Sequence, residues 1–368
     1  MDFALDEEWA TAAELAREIF ADHATAERLR AVEERPDRID EALWAQLGRA
    51  GLLGSVLDED VGGAGLGLGG LCALLREQGR AVAPVPLWPS AVAALAVARW
   101  GADRQRAALL PGVADGSVRL TAALEEFGPA PPAAPACAAE EDGSRWRLTG
   151  EKAVVPAPFG ADRVLVSATT GRGPGLFLIA AGGAGIGWQR CETTDRDVAG
   201  HLRLDGASAE AVGAPGGGAP AEVLRWASVA LSALQLGVAE GALDRAAGYV
   251  REREQFGRPL GSLQAVQHQL ADCYVEVDAL RVAVWRAVSA VVAGERAVEA
   301  VLVAKWWAGH GGLNVVHRVQ HVHGGIGVDI DYPVHRYFLR GKQLAGTLGG
   351  PSAVLAELGD VLVGGRAR

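Results

Sequence analysis

The N-terminal third of the chain carries a helical pattern of apolar and polar positions. Near its start, apolar residues recur three or four positions apart, at Leu5, Trp9, Ala12, Ala16 and Ile19. That spacing places them on one face of an α-helix. Further helices are predicted over 40–50, 71–79 and 91–100. The glycine-rich stretch 58–70 follows no strand and has no lysine, so it is a turn rather than a phosphate loop. The pattern predicts an N-terminal α-helical domain over 1–116.

After residue 117 the pattern changes to short runs that alternate or are rich in β-branched residues. Glycine, proline and aspartate separate these runs, which is typical of antiparallel strands. The runs lie at 118–126, 145–155, 162–170, 175–181 and 201–206. A Pro/Ala-rich stretch at 129–143 is predicted to be a flexible loop. We therefore expect a middle antiparallel β-barrel-like domain over 117–215.

Residues 262–288 give the clearest helical pattern of the chain. Apolar residues alternate spacings of three and four there, as on the buried seam of a bundle helix. They are Leu263, Val266, Leu270, Cys273, Val277, Leu280 and Val284. Helices are also predicted over 224–251, 297–319 and 337–362. Four long consecutive helices indicate a C-terminal four-helix bundle domain over 216–368, so the fold class is α+β multidomain.

Composition and charge exclude several functional classes. The chain has 368 residues, of which 49% are hydrophobic and 22% charged, and a formal net charge of −10. Nucleic acids and anionic membranes require clustered Lys and Arg, so neither partner is expected. The four cysteines lie far apart and form no CxxC, so neither a metal site nor a disulfide framework is indicated. The chain starts with acidic residues, and its most apolar run, 229–239, is too short to span a bilayer, which favours a cytoplasmic protein.

The motif HGGIG at 323–327 has two adjacent glycines after a long helical segment. Glycine tolerates positive φ and leaves the backbone bare, so Gly324 and Gly325 allow a ligand to approach closely. A phosphate group is one candidate, because a bare turn presents N–H donors to an anion. A plain helix C-cap followed by a turn is the alternative.

Three motifs, set on an α–β–α order, resemble the acyl-CoA dehydrogenase family over essentially the whole chain. They are REREQFGRPLGSLQAVQHQLAD at 251–272, HGGIG at 323–327 and GEKAVVPAPFGADRVLVSA at 150–168. The resemblance implies an oxidoreductase that binds FAD at a subunit interface and acts on the CH–CH group of an acyl thioester. It further implies an acyl-CoA or acyl-carrier thioester as substrate and an electron-transfer flavoprotein as electron acceptor.

Matched positions imply contacts with the cofactor. Arg253, Phe256 and Gln264 resemble residues that reach the FAD of a facing subunit. Gly324–Gly325 resembles the pair that lets the backbone approach the FAD diphosphate. His321 stands where the family more often has Gln, which changes the contact expected there.

Two segments of the middle domain depart from the family. Val154, Val155 and Pro156 lie where a strand of the family backs the isoalloxazine ring of the flavin, and Val155 is the cofactor-binding candidate. A Trp and a hydroxyl residue often serve there, and neither is present. The loop at 124–129 reads LEEFGP, where the family often has a Glu-Pro-x-x-Gly-Ser-Asp run. The usual flavin and substrate contacts are therefore changed in both segments.

The largest departure concerns the catalytic base. Removal of a weakly acidic α-proton requires a carboxylate held in a dry site. When the family motif is aligned without gaps on Tyr332, Pro333 and Lys342, its Glu falls on Leu348 and the Gly that follows falls on Gly349. The other position used in the family falls in RWAS, 225–228, which also has no carboxylate. The backbone N–H of Leu348 remains available to polarise a thioester, and Arg225 is the candidate replacement for the family's substrate-binding Arg.

Four interpretations remain open at this point. The chain is the subunit lacking the catalytic Glu in a heteromeric, α2β2-like dehydrogenase that shares its FAD site with a second acyl-CoA dehydrogenase subunit. Alternatively, it is an active homo-oligomer with a relocated base, for which Asp329, Asp331 and Glu240 are the nearest candidates. A flavin monooxygenase on the same fold also dispenses with the Glu. A purely structural subunit without flavin is the fourth.

Several histidines lie close together in sequence near the glycine turn. They are His317, His321, His323 and His335. A metal site would need carboxylate or cysteine partners at fixed spacing, and the sequence shows none, so no metal is expected. We predict that His321 and His323 lie on the diphosphate side of the cofactor or at an interface, and that His335 starts a helix.

Overall fold

The chain forms two compact units whose segments alternate along the sequence. The computed structural model describes residues 6–128, 130–295 and 297–366. The first unit, called here the bundle unit, comprises Met1–Ala31, Cys72–Ala83 and Ser228–Arg368. The second, the barrel unit, comprises Val32–Leu71 and Pro84–Ala227. The N-terminal helices are thus divided between the two units, and the three-domain division at residues 116 and 215 stays a prediction.

In the described part of the barrel unit, seven strands form one sheet that closes on itself. They are β1 (Leu120–Ala123), β2 (Ala138–Asp142), β3 (Arg145–Pro156), β4 (Arg163–Thr170), β5 (Gly173–Ala180), β6 (Ile186–Glu192) and β7 (Val198–Val212). The ring runs β4–β2–β3–β7–β5 and returns to β4, while β1 pairs with β4 and β6 with β7. The predicted β-barrel-like domain is confirmed.

Two strands of the barrel were not predicted, and two pairings, β1 with β4 and β2 with β4, are parallel rather than antiparallel. The sequence of β2, AAEED, is poor in strand-forming residues and was expected to belong to a loop. It becomes a strand because it pairs residue for residue with β3, from Ala138 opposite Thr149 to Asp142 opposite Arg145. The strand β6 pairs along β7 in the same way. The antiparallel prediction is wrong for β1, which runs parallel to β4 because the hairpin of β2 and β3 lies between them in sequence.

The barrel core is made of side chains that alternate inward along the strands. Leu148, Val164, Phe177 and Leu202 are at most 1% exposed, and Val155 belongs to the same apolar cluster. This alternation follows from the two-residue period of a strand, which sends successive side chains to opposite faces. It fixes which side of β3 is available to solvent and which is not.

The N-terminal residues are helical, as predicted. The helices are α1 (Glu7–His23), α2 (Ala26–Glu33), α3 (Glu41–Arg49), α4 (Gly67–Ala81), α5 (Leu87–Trp100) and α6 (Asp103–Asp115). Asp40 caps α3 by accepting a hydrogen bond from the N–H of Leu43 at 2.9 Å, a usual N-cap contact. The helix α4 begins within the glycine-rich stretch, four residues before the predicted start at Leu71. Pro89 lies in the first turn of α5, where proline is tolerated.

The C-terminal helices depart from four plain rods in two places. They are α7 (Ala219–Glu252), α8 (Gln264–Ala293), α9 (Ala297–Trp307), α10 (Leu313–His323), α11 (Val334–Gly346) and α12 (Pro351–Arg366). A π-helical segment, Ala308–Gly312, joins α9 and α10 into one long helix. The predicted fourth helix is interrupted at 347–350, because Leu348 and Gly349 have positive φ and Pro351 starts a new helix. By length and composition α7 would cross a membrane, but 89% of its apolar window is buried, as in a core helix.

Glycines bring α4 and α7 into backbone contact within the bundle unit. A Cβ built on Gly79 would lie 2.2 Å from the carbonyl oxygen of Leu234, and one on Gly237 would lie 1.9 Å from that of Arg76. A Cβ built on Gly241 would lie 2.5 Å from the carbonyl oxygen of Arg80, on the next turn of α4. Small residues at a helix crossing permit such close approach, and any larger side chain would force the helices apart.

This crossing buries a carboxylate among arginines. Glu240 of α7 is 6% exposed and accepts hydrogen bonds from Arg76 of α4 at 2.7 and 3.1 Å. Arg281 of α8 donates two more at 3.1 Å, and Arg80 lies 3.8 Å away. Removing one partner of a buried ion pair is costly because the other charge stays desolvated. The cluster therefore ties three helices together and holds the Glu240 side chain in place.

We expect the substitution Glu240→Gln to destabilise the protein by about 2–3 kcal/mol. This is less than the roughly 3–5 kcal/mol typical of a fully buried pair, because the arginine heads are partly exposed. Denaturant unfolding at neutral pH measures the loss. The control is Asp278→Asn, which removes an exposed carboxylate from the same Arg281 and should cost less than about 1 kcal/mol. Equal losses in the two variants would contradict a buried role for Glu240.

Candidate functional site

A two-residue hairpin after α7 presents an aromatic side chain to solvent. Its short strands, β8 (Glu254–Gln255) and β9 (Arg258–Pro259), pair through Gln255 and Arg258. Phe256 and Gly257 at the tip both have positive φ, 54° and 73°, as in the primed turns that suit hairpins. Phenylalanine rarely adopts this conformation. The Phe256 side chain is nevertheless 87% exposed. Neither packing within the chain nor an intrinsic backbone preference therefore explains why phenylalanine stands at this position.

The other predicted interface residues flank this hairpin. Arg253 and Gln264 are exposed in the chain, at the end of α7 and at the first residue of α8. The backbone of Arg253 is fixed, since its N–H donates to Tyr249 and its carbonyl accepts from the N–H of Leu260 at 2.8 Å. A cation, an apolar ring and an amide thus point away from the chain on one short segment. They are placed to contact something outside the chain.

The glycine turn is open at its first two residues and closed afterwards. Gly324 has φ 62° and ends α10 by donating its N–H to the carbonyl of His321. A Cβ on Gly324 or Gly325 would meet nothing within 4 Å, whereas one on Gly327 would lie 3.0 Å from the carbonyl oxygen of Gln320. The bare backbone at 324–325 therefore faces open space. An anion such as a diphosphate can approach it without displacing any side chain.

The histidines near this turn are engaged within the bundle unit. His321 is exposed and pairs through Nδ1 with Oε1 of Gln269 at 3.1 Å. His323 is buried, stacks on Tyr249 and pairs through Nδ1 with the carbonyl of Val319, and burial lowers its pKa. His335 pairs with the carbonyl of Tyr332 in the first turn of α11, as predicted. Within the described ranges, no group of His, Cys, Asp and Glu is arranged to hold a metal ion.

The turn that carries Leu348 is fixed by contacts from α9 and from the π-helical segment that follows it. Lys305 of α9 is 3% exposed and donates from Nζ to the carbonyl of Leu344, near the end of α11. A Cβ on Gly309, in the π-helical segment, would lie 2.9 Å from Cγ of Pro351. Leu348 itself is half-buried with φ 56°, and Gly349 has φ 106°. Local packing thus fixes a strained backbone at Leu348. This is the position where the family's catalytic Glu was expected, and it has no carboxylate.

The carboxylates considered as relocated bases are already engaged. The Asp329 side chain accepts the backbone N–H of Asp331, and Asp331 pairs with Arg30 at 2.7 Å. Glu240 is enclosed by its arginines. Arg225, the candidate for the family's substrate-binding Arg, lies on the part of α7 that belongs to the barrel unit and is half-buried. A general base must be within hydrogen-bond reach of the proton that it abstracts, whereas the carboxylates of Asp331 and Glu240 are held against arginines of the chain itself.

The barrel strand expected to back a flavin has an inward side chain at its centre. Val155 is 1% exposed and its side chain packs in the barrel core, so only its backbone can face a cofactor, and its assignment to the cofactor site stays a prediction. The two-residue period explains the inward side chain, because Val155 follows a bulge that shifts the parity of β3. Val154, on the other side of the bulge, is half-buried with φ 49°.

A buried ion pair fixes the adjacent loop, and sequence reasoning missed it. Lys152 of β3 is fully buried and donates to Glu126 at 2.5 Å and to the hydroxyl of Ser167 at 3.0 Å. Glu126 also accepts the backbone N–H groups of Ala136 and Cys137 at 2.6 and 3.0 Å. Lys152 shares the inward parity of Leu148, and a charge on an inward face requires a buried partner. The inward-facing position of Lys152 on β3 was the sequence signal from which this buried ion pair could have been predicted.

Comparison with known proteins places these features in context. Family models for the C-terminal and N-terminal domains of acyl-CoA dehydrogenases match residues 216–359 and 6–117. Acyl-CoA dehydrogenase FadE27 from Mycobacterium tuberculosis is 38% identical over 352 residues, which cover 92% of each protein. A variant of the Tcur3481–Tcur3483 steroid ACAD is 61% identical, with a TM-score of 0.96 over 99% of this chain and 100% of that one. The ChsE4–ChsE5 complex from Mycobacterium tuberculosis is 38% identical, with a TM-score of 0.93 over 99% of both chains.

The ion pair of Glu126 predicts a loss of stability in acid. Burial raises the pKa of Glu126, but the hydrogen bonds from Lys152 and two backbone N–H groups outweigh it and hold the pKa below its ordinary value. Such a group stabilises the fold above the unfolded pKa of about 4.3, and this contribution is lost as the pH falls through the lower folded pKa. We expect the stability difference between the native chain and Glu126→Gln to shrink between pH 7 and pH 3, measured by denaturant unfolding. Glu151→Gln, an exposed neighbour on β3, is the control and should show no such trend.

Proposed function

The chain belongs to the acyl-CoA dehydrogenase family, and we propose that it is the subunit lacking the catalytic Glu in a heteromeric, α2β2-like enzyme. Members of this family are FAD-dependent oxidoreductases that act on the CH–CH group of an acyl-CoA. In our proposal the chain shares its FAD site with a second acyl-CoA dehydrogenase subunit. That partner supplies the carboxylate that removes the α-proton.

The observation that carries the proposal is the turn at 347–350. Its sequence, TLGG, contains no group that can accept a proton, and Leu348 occupies the place where the family has Glu. The relocated-base alternative is weakened because Asp331 and Glu240 are ion-paired with arginines. Losing a general base costs a factor of about 10²–10⁴ in rate. A chain with this turn needs a carboxylate from another subunit to reach ordinary turnover.

The exposed interface residues support the shared cofactor site. FAD, when bound, supplies the hydride acceptor for the β-hydrogen of the substrate. Arg253 is suited to the negative diphosphate, Phe256 to an apolar ring surface and Gln264 to hydrogen bonding. The open backbone at 324–325 fits a diphosphate, with His321 at its edge. All these groups project from the chain, as residues that serve a site completed by a neighbour must.

The relatives support the choice of substrate and partner. Two of the most similar solved structures are named as two-component assemblies, and one of them as a steroid enzyme. We infer that the substrate here is the CoA thioester of a steroid or similar bulky acyl group, and that Arg225, Leu348 and Gly349 lie on its path. An electron-transfer flavoprotein would reoxidise the flavin. We place the assembly in the cytoplasm.

A flavin monooxygenase remains the second candidate function. It also needs no carboxylate base, since its chemistry begins with oxygen at the flavin. The retained segment around Phe256 and the glycine turn favours the dehydrogenase, because both belong to a shared FAD site. Dependence of turnover on a separate flavin reductase would instead favour the monooxygenase.

Co-expression tests the proposed function directly. We expect the chain purified alone to be flavin-poor, and the chain co-expressed with a dehydrogenase encoded beside it to form a yellow hetero-oligomer that an acyl-CoA bleaches. The visible absorbance of the flavin and the oligomer mass are the measurements. A yellow homo-oligomer that acyl-CoA reduces would refute the proposal and direct attention to Asp329 as the remaining base.

Arg253→Ala tests the contribution of the interface residues to FAD binding. We expect the co-expressed complex to bind FAD about 10- to 100-fold more weakly, because a charge-assisted hydrogen bond of roughly 1.5–3 kcal/mol is lost. Fluorescence titration of the deflavinated complex with FAD measures the change. Arg251→Ala, two residues earlier on the same helix end and also exposed, is the matched control. If both variants bind FAD like the native complex, Arg253 does not reach the cofactor.

A further inference from the structure

A cleft at the surface of the barrel unit has no part in the function proposed above. It has a volume of about 600 Å³ and lies between α6 and the strands β3, β4, β5 and β7, with the loop at 182–186 in its wall. Leu109, Leu178 and Ile186 supply apolar lining. Among the described residues that line it, none was assigned to the cofactor or the substrate by the family motifs. Small-molecule sites have volumes of about 300–1,000 Å³ and combine apolar walls with a few polar groups. The cleft is therefore large enough for a small organic ligand.

Arginines dominate the charge of this cleft. The chain has a net charge of −10, yet the lining contains four arginines and only two carboxylates. Glu210 pairs with Arg104 and with Arg145, both at 3.2 Å. Asp205 lies 3.9 Å from Arg203, which is not part of the lining. The lining arginines that remain are Arg147 and Arg163. The cleft is thus locally positive on an acidic protein.

The two remaining arginines differ in how far they are neutralised. Arg147 donates to Asp142 at 2.7 Å and to the carbonyl of Gly206 at 3.2 Å. Arg163, at the start of β4, donates to the carbonyl of Asp162 at 2.9 Å and pairs with no carboxylate in the part of the chain that the structure describes. Guanidinium groups bind phosphate through charge-assisted, often paired hydrogen bonds. Arg163 therefore offers the cleft a positive charge that the chain itself does not neutralise.

The loop at 182–185 adds bare backbone donors to these charges. Its sequence is Gly-Gly-Ala-Gly. A Cβ on Gly182 or Gly183 would meet nothing within 4 Å, so this backbone is open to a ligand. Gly185 has φ 75°, and a Cβ there would lie 2.4 Å from the carbonyl oxygen of Asp205, so the loop is packed against the end of a β7 turn. Within the described ranges, none of the four N–H groups at 182–185 donates to an acceptor of the chain. Such N–H groups in a glycine-rich turn are suited to an anion.

We propose that this cleft is a binding site for a small ligand that carries a phosphate or diphosphate group on an organic body, as a nucleotide does. The arginines and the loop N–H groups bind the phosphate, and the apolar lining contacts the organic part. The concave shape favours a small molecule over a flat protein surface. This site does not depend on the proposed function, because its residues belong to the barrel unit and match none of the family's cofactor positions.

Isothermal titration calorimetry of the full chain with ADP, and separately with inorganic pyrophosphate, tests the site. We expect Arg163→Gln and Gly182→Asp each to weaken binding about 10- to 100-fold, because the first removes a charge-assisted hydrogen bond and the second adds a like charge to the ligand. Gly182→Asp should fold normally, since its Cβ meets nothing and its φ is not in the left-handed region. Gly182→Asn, which has the same shape without the charge, is its control. Arg172→Gln is the control for Arg163, because it removes the same charge at the opposite end of the β4–β5 pairing.

The outcomes separate this site from the shared cofactor site. Weaker binding in the two cleft variants but not in their controls supports the proposal. In that case, tighter binding of ADP than of pyrophosphate assigns the apolar lining to a nucleotide, whereas equal binding assigns the cleft to the phosphate groups alone. ADP binding that survives both cleft variants and is lost with Arg253→Ala overturns the proposal and leaves the shared FAD site intact. Absence of binding by both probes also overturns it.

Discussion

Each unit of this chain is built around a buried charge that has to stay paired. In the bundle unit, Glu240 joins α4, α7 and α8 through arginines, and the glycines of the α4–α7 crossing bring those side chains within reach. In the barrel unit, Lys152 and Glu126 join β3 to the loop after β1. Both pairs are expensive to break, because either partner alone would be a desolvated charge. Charges used in this way fix the architecture of each unit.

Positive φ at non-glycine residues marks the places where the chain departs from ordinary packing. Val154, Phe256 and Leu348 all adopt it, and each lies in a segment that the family uses for cofactor or substrate. Such a backbone persists only when its surroundings fix it. A hydrogen bond to His201 fixes Val154, and Lys305 with the π-helical segment fixes the end of α11 beside Leu348. At the tip of the hairpin, the two-residue turn is what fixes the backbone of Phe256. This fits a residue whose side chain is covered by another subunit.

The sequence predicted what depends on local periodicity. The seam of α8 is an example, since Cys273, Val277, Leu280 and Val284 are all buried as their spacing required. It missed what depends on distant partners. Arg76 precedes Glu240 by 164 residues, so nothing around Glu240 could show that it was an ion pair rather than a helix-face carboxylate. The strand β2 was missed because pairing with β3, not propensity, makes it a strand. Val155 was assigned to the cofactor by its place in the family motif, and nothing in the sequence indicated the bulge at Val154 that turns its side chain into the core.

The residues of this chain that match family motifs fall into two groups. Some are exposed to solvent, and the others are hydrogen-bonded or buried within the chain. The groups suited to the diphosphate side, Arg253, Phe256 and Gln264, are exposed. An 87% exposed phenylalanine gives up its apolar burial, and a covering partner is the simplest reason to retain it. The groups on the ring side are instead satisfied within the chain, through Glu126, His201 and the barrel core. In the proposed function, the exposed groups serve a cofactor site that a second subunit completes, and that subunit also supplies the carboxylate that Leu348 cannot.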